Sequence, residues 1–309
     1  MKKALVIGAR GHIGSYLVNR LAEAGWEVTA LSRTDRKPYA FKKEVWENVH
    51  SVFMPREQYV AGDMLGKEKF DAVCDLLCFT PAECGRITEK LTHGEFYMQL
   101  GSIWTYENKQ YLPVDENHPK NSAESYGRDK GLVEDMVLSL CNGGKLRGAV
   151  VHPGHISAGG WMPINPQGNL DKGVYDKIRR GEKVLLPFLG LPTLQHVHAE
   201  DLAEVCAACV EQPEKANGQA FISAAESAMT MRAIAENLFA YFGHEPNIEY
   251  VSWEELERAI GKENAAVSLD HVSHSPCATP AKALRVLGVK HKYGIMDIYK
   301  EYYNDAYLH

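Results

Sequence analysis

Gly8-Ala9-Arg10-Gly11-His12-Ile13-Gly14 decides the fold of this chain. Ahead of it stands Ala4-Leu5-Val6-Ile7, a short apolar run suited to one buried strand, and behind it Ile13, Tyr16, Leu17 and Leu21 recur at helical spacing until Gly25. Three glycines between strand and helix permit a tight turn, let backbone N–H groups approach a pyrophosphate, and allow close packing of helix on sheet. A glycine triplet alone is weak, but in this strand-turn-helix setting it predicts a dinucleotide held by Gly8, Arg10, Gly11, His12, Ile13 and Gly14.

Further strands are expected at residues 28–31, 59–61, 72–78, 96–100 and 148–151, with helical stretches between several of them and a helix from about Ser122 to Leu140. Such alternation predicts an α/β fold with a Rossmann-type doubly wound parallel sheet. After Pro153 the chain becomes rich in glycine and proline, then returns to a helix at 199–211 and a strand at 220–222. The expected division is a nucleotide-binding domain from 1–155 and 194–226, and a smaller, mainly C-terminal substrate lobe from 156–193 and 227–309.

The bulk numbers agree with a soluble globular chain and exclude disorder, collagen and disulfide scaffolds: 309 residues, 45% hydrophobic and 24% charged. With 34 Lys+Arg against 40 Asp+Glu, the formal charge of -6 gives no reason to expect nucleic acid or an anionic membrane as partner. No apolar run reaches the roughly 20 residues of a membrane span, so a cytoplasmic protein is expected. The seven cysteines include a lone Cys206-x-x-Cys209 on a helical apolar face, which reads as core packing; no metal site is expected.

At the end of the second strand, an acidic side chain would accept from the ribose 2′-hydroxyl of NAD. Here stand Ser32-Arg33, and Arg33 with Arg10 and Arg36 offers a cationic pocket for the 2′-phosphate of NADP. NADP is therefore preferred over NAD. Farther along, Tyr126 and Lys130 share a helix face. A neighbouring ammonium lowers a phenol's pKa from its ordinary value near 10, which would make Tyr126 a proton donor or acceptor, with Ser102 beside it at the end of the fifth strand.

Taken together these markers resemble an extended short-chain dehydrogenase/reductase of the NAD(P)-dependent epimerase/dehydratase family. The matching residues are the glycine turn, Gly62-Asp63, Ser102 with Tyr106, Tyr126-Gly127-Arg128-Asp129-Lys130, Pro153-Gly154 and His196-Val197-His198-Ala199-Glu200-Asp201. The resemblance implies that Tyr126 is the acid/base, that Lys130 holds the nicotinamide ribose and tunes Tyr126, and that Ser102 orients the reacting oxygen. It further implies that Asp63 meets the adenine amine and that Pro153, His155 and Ile156 line the nicotinamide pocket. Trp161 and Asn165 are expected to reach substrate. The implied activity is oxidoreductase or epimerase chemistry at a hydroxyl/carbonyl centre of a sugar nucleotide or related polar metabolite, in a monomer or a homodimer paired through the Tyr126 helix.

Departures from the family pattern narrow this. Ile103-Trp104 stand where sugar-nucleotide dehydratases carry Asp-Glu, which argues against elimination chemistry. Asp75 breaks a segment that is usually apolar, and His152 replaces a common arginine. The alternative reading is a non-catalytic dinucleotide-sensing or RNA-associated relative on the same fold.

Overall fold

The structure is a computed structural model that describes residues 1–62, 64–91, 94–107 and 109–307. Seven strands form one sheet: β1 (Lys3–Ile7), β2 (Glu27–Ser32), β3 (His50–Phe53), β4 (Ala72–Asp75), β5 (Phe96–Leu100), β6 (Arg147–Pro153) and β7 (Gln219–Ser223). Their order is β7-β6-β5-β4-β1-β2-β3. Every neighbouring pair is parallel. The direction of winding therefore reverses between β1 and β4, and a ligand crevice opens beyond their C-terminal ends.

Alternate side chains of each strand serve opposite faces. Ala4 and Val6 pack with helices α1 (His12–Glu23) and α3 (Ala199–Glu211), whereas Leu5 and Ile7 pack with Val133 and Val137 of α2 (Ser125–Asn142). Both faces are thus covered, as a parallel sheet requires. Cys206 and Cys209 are fully buried free thiols on α3 beneath the sheet. A separate core joins Ile164, Tyr175 and Leu194 to Ile234, Leu238 and to Tyr299 of the last helix, α5 (Ile295–Tyr307). Ahead of α5 runs α4 (Trp253–His274), which breaks at Gly261, where φ is +80°.

One expected strand is a helix. Residues 59–61 belong to Arg56–Ala61, with Tyr59 N–H donating to Pro55 O at 3.1 Å and Gly62 N–H to Gln58 O at 2.9 Å. The strand beside β2 is instead His50–Phe53, and its partly exposed edge position hid it from a reading of apolar runs. Gly62 consequently follows a helix, and Asp63, expected at the adenine, lies outside the described residues.

Candidate active site

The glycine turn fits a dinucleotide on geometry. Gly8 takes φ +90°, open to glycine at no steric cost. A Cβ on Gly14 would come within 2.2 Å of Gly8 O, so only glycine lets α1 approach β1 this closely. Gly11 is the N-cap of α1 and offers no side chain to its first-turn N–H groups, which leaves them for an anionic ligand. The groove beyond is walled by Gly8, Gly11, His12, Ile13, Gly14, Leu76, Leu77, Ile156 and Trp161.

One end of this groove is a cavity of about 310 Å³ lined by Arg10, Ser32, Arg33 and Arg36, where the sequence leads one to expect the adenosine. Arg10 is already engaged: it pairs with Asp35 at 3.0 Å, donates to Arg36 O at 2.6 Å, and lies over the rings of Trp46 and Phe53. Ser32 Oγ accepts from Arg10 N–H at 3.1 Å. His12 is buried between Tyr39, stacked at 3.4 Å, and Trp161, edge-on at 3.4 Å. Burial, and then the charge of Arg36, pull its pKa down to about 3, so it is a neutral ring.

At the other end a cavity of about 380 Å³ is lined by Ser102, Trp104, Tyr126, Pro153, Gly154, His155, Ile156 and His271. Tyr126 and Ser102 line it together, and Ser102 favours the Tyr126 phenolate. Ser102 is itself fixed by two contacts: its Oγ accepts from Trp104 N–H at 3.2 Å and its own N–H donates to His152 Nδ1 at 3.0 Å. The same Nδ1 also lies 3.0 Å from Ser102 O, and Nε2 on the far edge of the ring faces Glu134 of α2 at 3.1 Å. Burial pushes the Glu134 carboxyl up, but His152 and Lys120 more than offset it and hold it below the ordinary range. The unusual His152 is thus a strut between α2 and the turn that carries Ser102.

Lys130 corrects one expectation. It is 1% exposed, and its ammonium donates to Cys78 O and Leu100 O at 2.7 Å each while lying 4.5 Å over the Phe79 ring. The Tyr126 ring is farther, at 5.9 Å. Burial raises the Tyr126 phenol, and the pull in the other direction comes from Ser102, not from the lysine. Lys130 is itself drawn down to about 8 by desolvation. Asp75 is explained as well: it forms a buried ion pair with Arg56 Nε at 3.1 Å and takes a hydrogen bond from Tyr97 OH at 3.2 Å.

Two residues expected at substrate are elsewhere. Trp161 walls the groove beyond the glycine turn, against His12, and is absent from the lining of the Tyr126 cavity. Asn165 is fully buried and spent within its own loop, bonding Asn169 Oδ1 at 2.6 Å, Asp171 O at 3.0 Å and Gln167 N–H at 2.8 Å. Short polar side chains of this kind fold loops as readily as they bind ligands. Trp104 and His271, not among the expected site residues, line the Tyr126 cavity. The signal for the latter was His271-Val272-Ser273-His274, two histidines three apart on one helix face.

A sequence model described as the NAD dependent epimerase/dehydratase family matches residues 4–79 and 88–223, and the chain belongs to that family. It is 26% identical, over 98% of its length and 79% of the other's, to the chloroplast stem-loop binding protein of 41 kDa b from Arabidopsis thaliana. It is 28% identical over 202 residues to mouse UDP-glucose 4-epimerase, a match spanning 54% of this chain and 58% of the epimerase. Among solved structures, UDP-glucose 4-epimerase from Brucella ovis in complex with NAD superposes with a TM-score of 0.70 at 18% identity, covering 98% of this chain and 97% of that one. Among the described residues no helix is long and apolar enough to cross a membrane.

Proposed function

We propose that this chain is a nucleotide-sugar epimerase that binds its nicotinamide dinucleotide along the groove from Arg33 to Ile156 and works on a sugar hydroxyl in the Tyr126 cavity. The observation that carries the reading is the convergence of Ser102 and Tyr126 with Pro153, His155 and Ile156 on one cavity at the end of the glycine-turn groove. The bound dinucleotide would supply the acceptor and donor of hydride. Tyr126 takes the proton of the reacting hydroxyl and returns it, Ser102 steadies the same oxygen, and Lys130 braces the wall beneath through the carbonyls of Cys78 and Leu100. Trp104, where a dehydratase would need a carboxylate, supports epimerisation over elimination.

The reading includes a preference for NADP. Arg33 and Arg36 line the adenosine end with no carboxylate in the lining to receive a ribose 2′-hydroxyl, although Asp35 engages the neighbouring Arg10. Mass spectrometry of nucleotide released from denatured protein, with thermal-shift titrations of NADPH and NADH, tests this, since a ligand of the folded state raises its melting temperature. A retained nucleotide together with interconversion of UDP-glucose and UDP-galactose without net nicotinamide turnover is expected. Stoichiometric consumption of NADPH would make the protein a reductase.

A second reading is favoured by one observation, the match to a stem-loop binding protein along 98% of this chain. On that reading the fold binds an RNA hairpin and the cavity is vestigial. Binding of a labelled hairpin that persists at physiological salt supports it; retention of full epimerase activity with no hairpin binding removes it.

A further inference from the structure

The cavity that holds Tyr126 has a wall contributed from far along the chain. The end of α4 brings His271 and His274 against Trp104 and His155: His274 stacks on Trp104 with ring centres 4.1 Å apart, and His271 meets His155 at 4.8 Å and Trp104 at 5.7 Å. Behind them His196 Nε2 accepts from Ile164 N–H at 3.0 Å. His271 Nδ1 lies 2.8 Å from Gly168 O and 2.9 Å from Val267 O. Two carbonyl oxygens can only accept, so the proton must stand on Nδ1 and Nε2 carries a lone pair. With Nδ1 turned back into the protein, the opposite edge of the ring is the one that lines the cavity, and Nε2 has no hydrogen-bond partner among the described residues. Ring packing on both sides fixes its position.

We infer that His271 is a substrate-positioning residue: its Nε2 accepts a hydrogen bond from a sugar hydroxyl other than the one facing Tyr126, while Trp104 receives the apolar face of the sugar ring. This rests on the sugar-nucleotide reading and deepens it, because the wall discriminates among sugars. The groups facing His271 are His155, with His196 behind it, from the adjoining short strands, His274 and Asp270 on its own helix, and the neutral Trp104. Beyond it, the His274 ring pairs with Asp270 at 3.6 Å, and Lys109 donates to the His274 carbonyl. The cavity lining itself contains no carboxylate and no free cation. Burial holds His271 and His155 below the ordinary histidine range, His155 further lowered by its histidine neighbours. A wall of neutral imidazoles favours a neutral hexose over a uronate, whose carboxylate would need a protonated partner there.

The test uses the dinucleotide-loaded enzyme with UDP-glucose, UDP-glucuronate and UDP as probes. Removing one neutral hydrogen bond that forms equally in ground and transition states raises KM and spares kcat. H271A is expected to raise KM for UDP-glucose about three- to tenfold, with kcat within about twofold and UDP affinity unchanged. H271Q, whose amide oxygen reaches about as far as Nε2, restores it and also serves if the alanine variant folds poorly. In the wild type KM rises on the acid side of the ordinary histidine range, where Nε2 gains a proton, and in H271Q it does not. Wild-type enzyme binds UDP-glucose more tightly than UDP-glucuronate. An H271A protein with unchanged KM, or a folded H271Q that fails to restore it, overturns the inference alone. Wild-type protein that interconverts no UDP-hexose overturns the underlying reading and this inference with it.

Discussion

The two ends of the groove solve opposite electrostatic problems. At the adenosine end Arg33 and Arg36 keep permanent charge at the surface, where guanidinium groups stay hydrated and attract anions at little cost. At the chemistry end, burial suppresses charge around the exposed Tyr126 phenol: His155, His196 and His271 are pushed toward their neutral forms and Lys130 is drawn down to about 8. Under the proposed function the first arrangement would hold the dinucleotide, and the second would let protons move between neutral groups. Binding and chemistry are thereby separated along one crevice.

The largest expected effect breaks the chemistry end alone. Tyr126→Phe removes the proton carrier and should lower kcat by about 10²–10⁴ while dinucleotide affinity stays within about twofold. Turnover of UDP-glucose is read by steady-state kinetics and dinucleotide affinity by thermal shift. A variant with full activity would transfer the acid/base role to another group.

At the opposite end, Arg33→Ala with Arg36→Ala should weaken NADPH by about 10–100-fold, the equivalent of losing about 1.5–3 kcal/mol of charge-assisted hydrogen bonding. NADH should change little. The NADPH affinity of the wild type should also fall with added salt, because these cations are exposed to the ionic atmosphere. Equal losses for both nucleotides would mean that the arginines hold the pyrophosphate instead.

Lys130 allows the burial argument to be tested without any substrate. Its folded-state pKa of about 8 lies below the ordinary lysine value, so between about pH 8 and 10 the unfolded chain binds more protons than the native one. Native stability must therefore climb with pH through that window relative to a Lys130→Met variant, which has no such group. The gain is about 3 kcal/mol at most, read from urea midpoints of both proteins at several pH values. Parallel pH profiles would show that the ammonium is held at its ordinary pKa by the carbonyls of Cys78 and Leu100.

The same contrast explains what the sequence made legible. The glycine turn is local: Gly14 is dictated by a Cβ clash with Gly8 O, Gly11 by a tight approach to the same oxygen and Gly8 by its φ of +90°, so the three announce themselves. The Tyr126 and Lys130 spacing was equally readable, but it fixes only where two Cβ atoms lie. The lysine stem then reaches past the phenol to the carbonyls of Cys78 and Leu100, which lie 52 and 30 residues away. The His271 wall needs α4 to meet the turn after β5 across more than 160 positions, and no periodicity carries that information. Edge strand β3 was lost for the converse reason, since a half-exposed strand has no apolar run to read.

Trp161 stands between the two ends and decides where one stops. Its loop is tied down by Gly159 N–H donating to Glu301 Oε1 at 3.0 Å and by Ser157 Oγ donating to Trp161 O at 2.6 Å, and its ring meets His12 over the glycine turn. If it belongs to the binding end, Trp161→Ala should speed dinucleotide dissociation by about two- to tenfold, the worth of one aromatic contact, and leave the KM for UDP-glucose alone. Stopped-flow displacement of bound dinucleotide gives the first quantity and steady-state kinetics the second. A raised KM with unchanged dissociation would return Trp161 to the substrate, as its position in the sequence first suggested, and would move the boundary between holding and chemistry past the glycine turn.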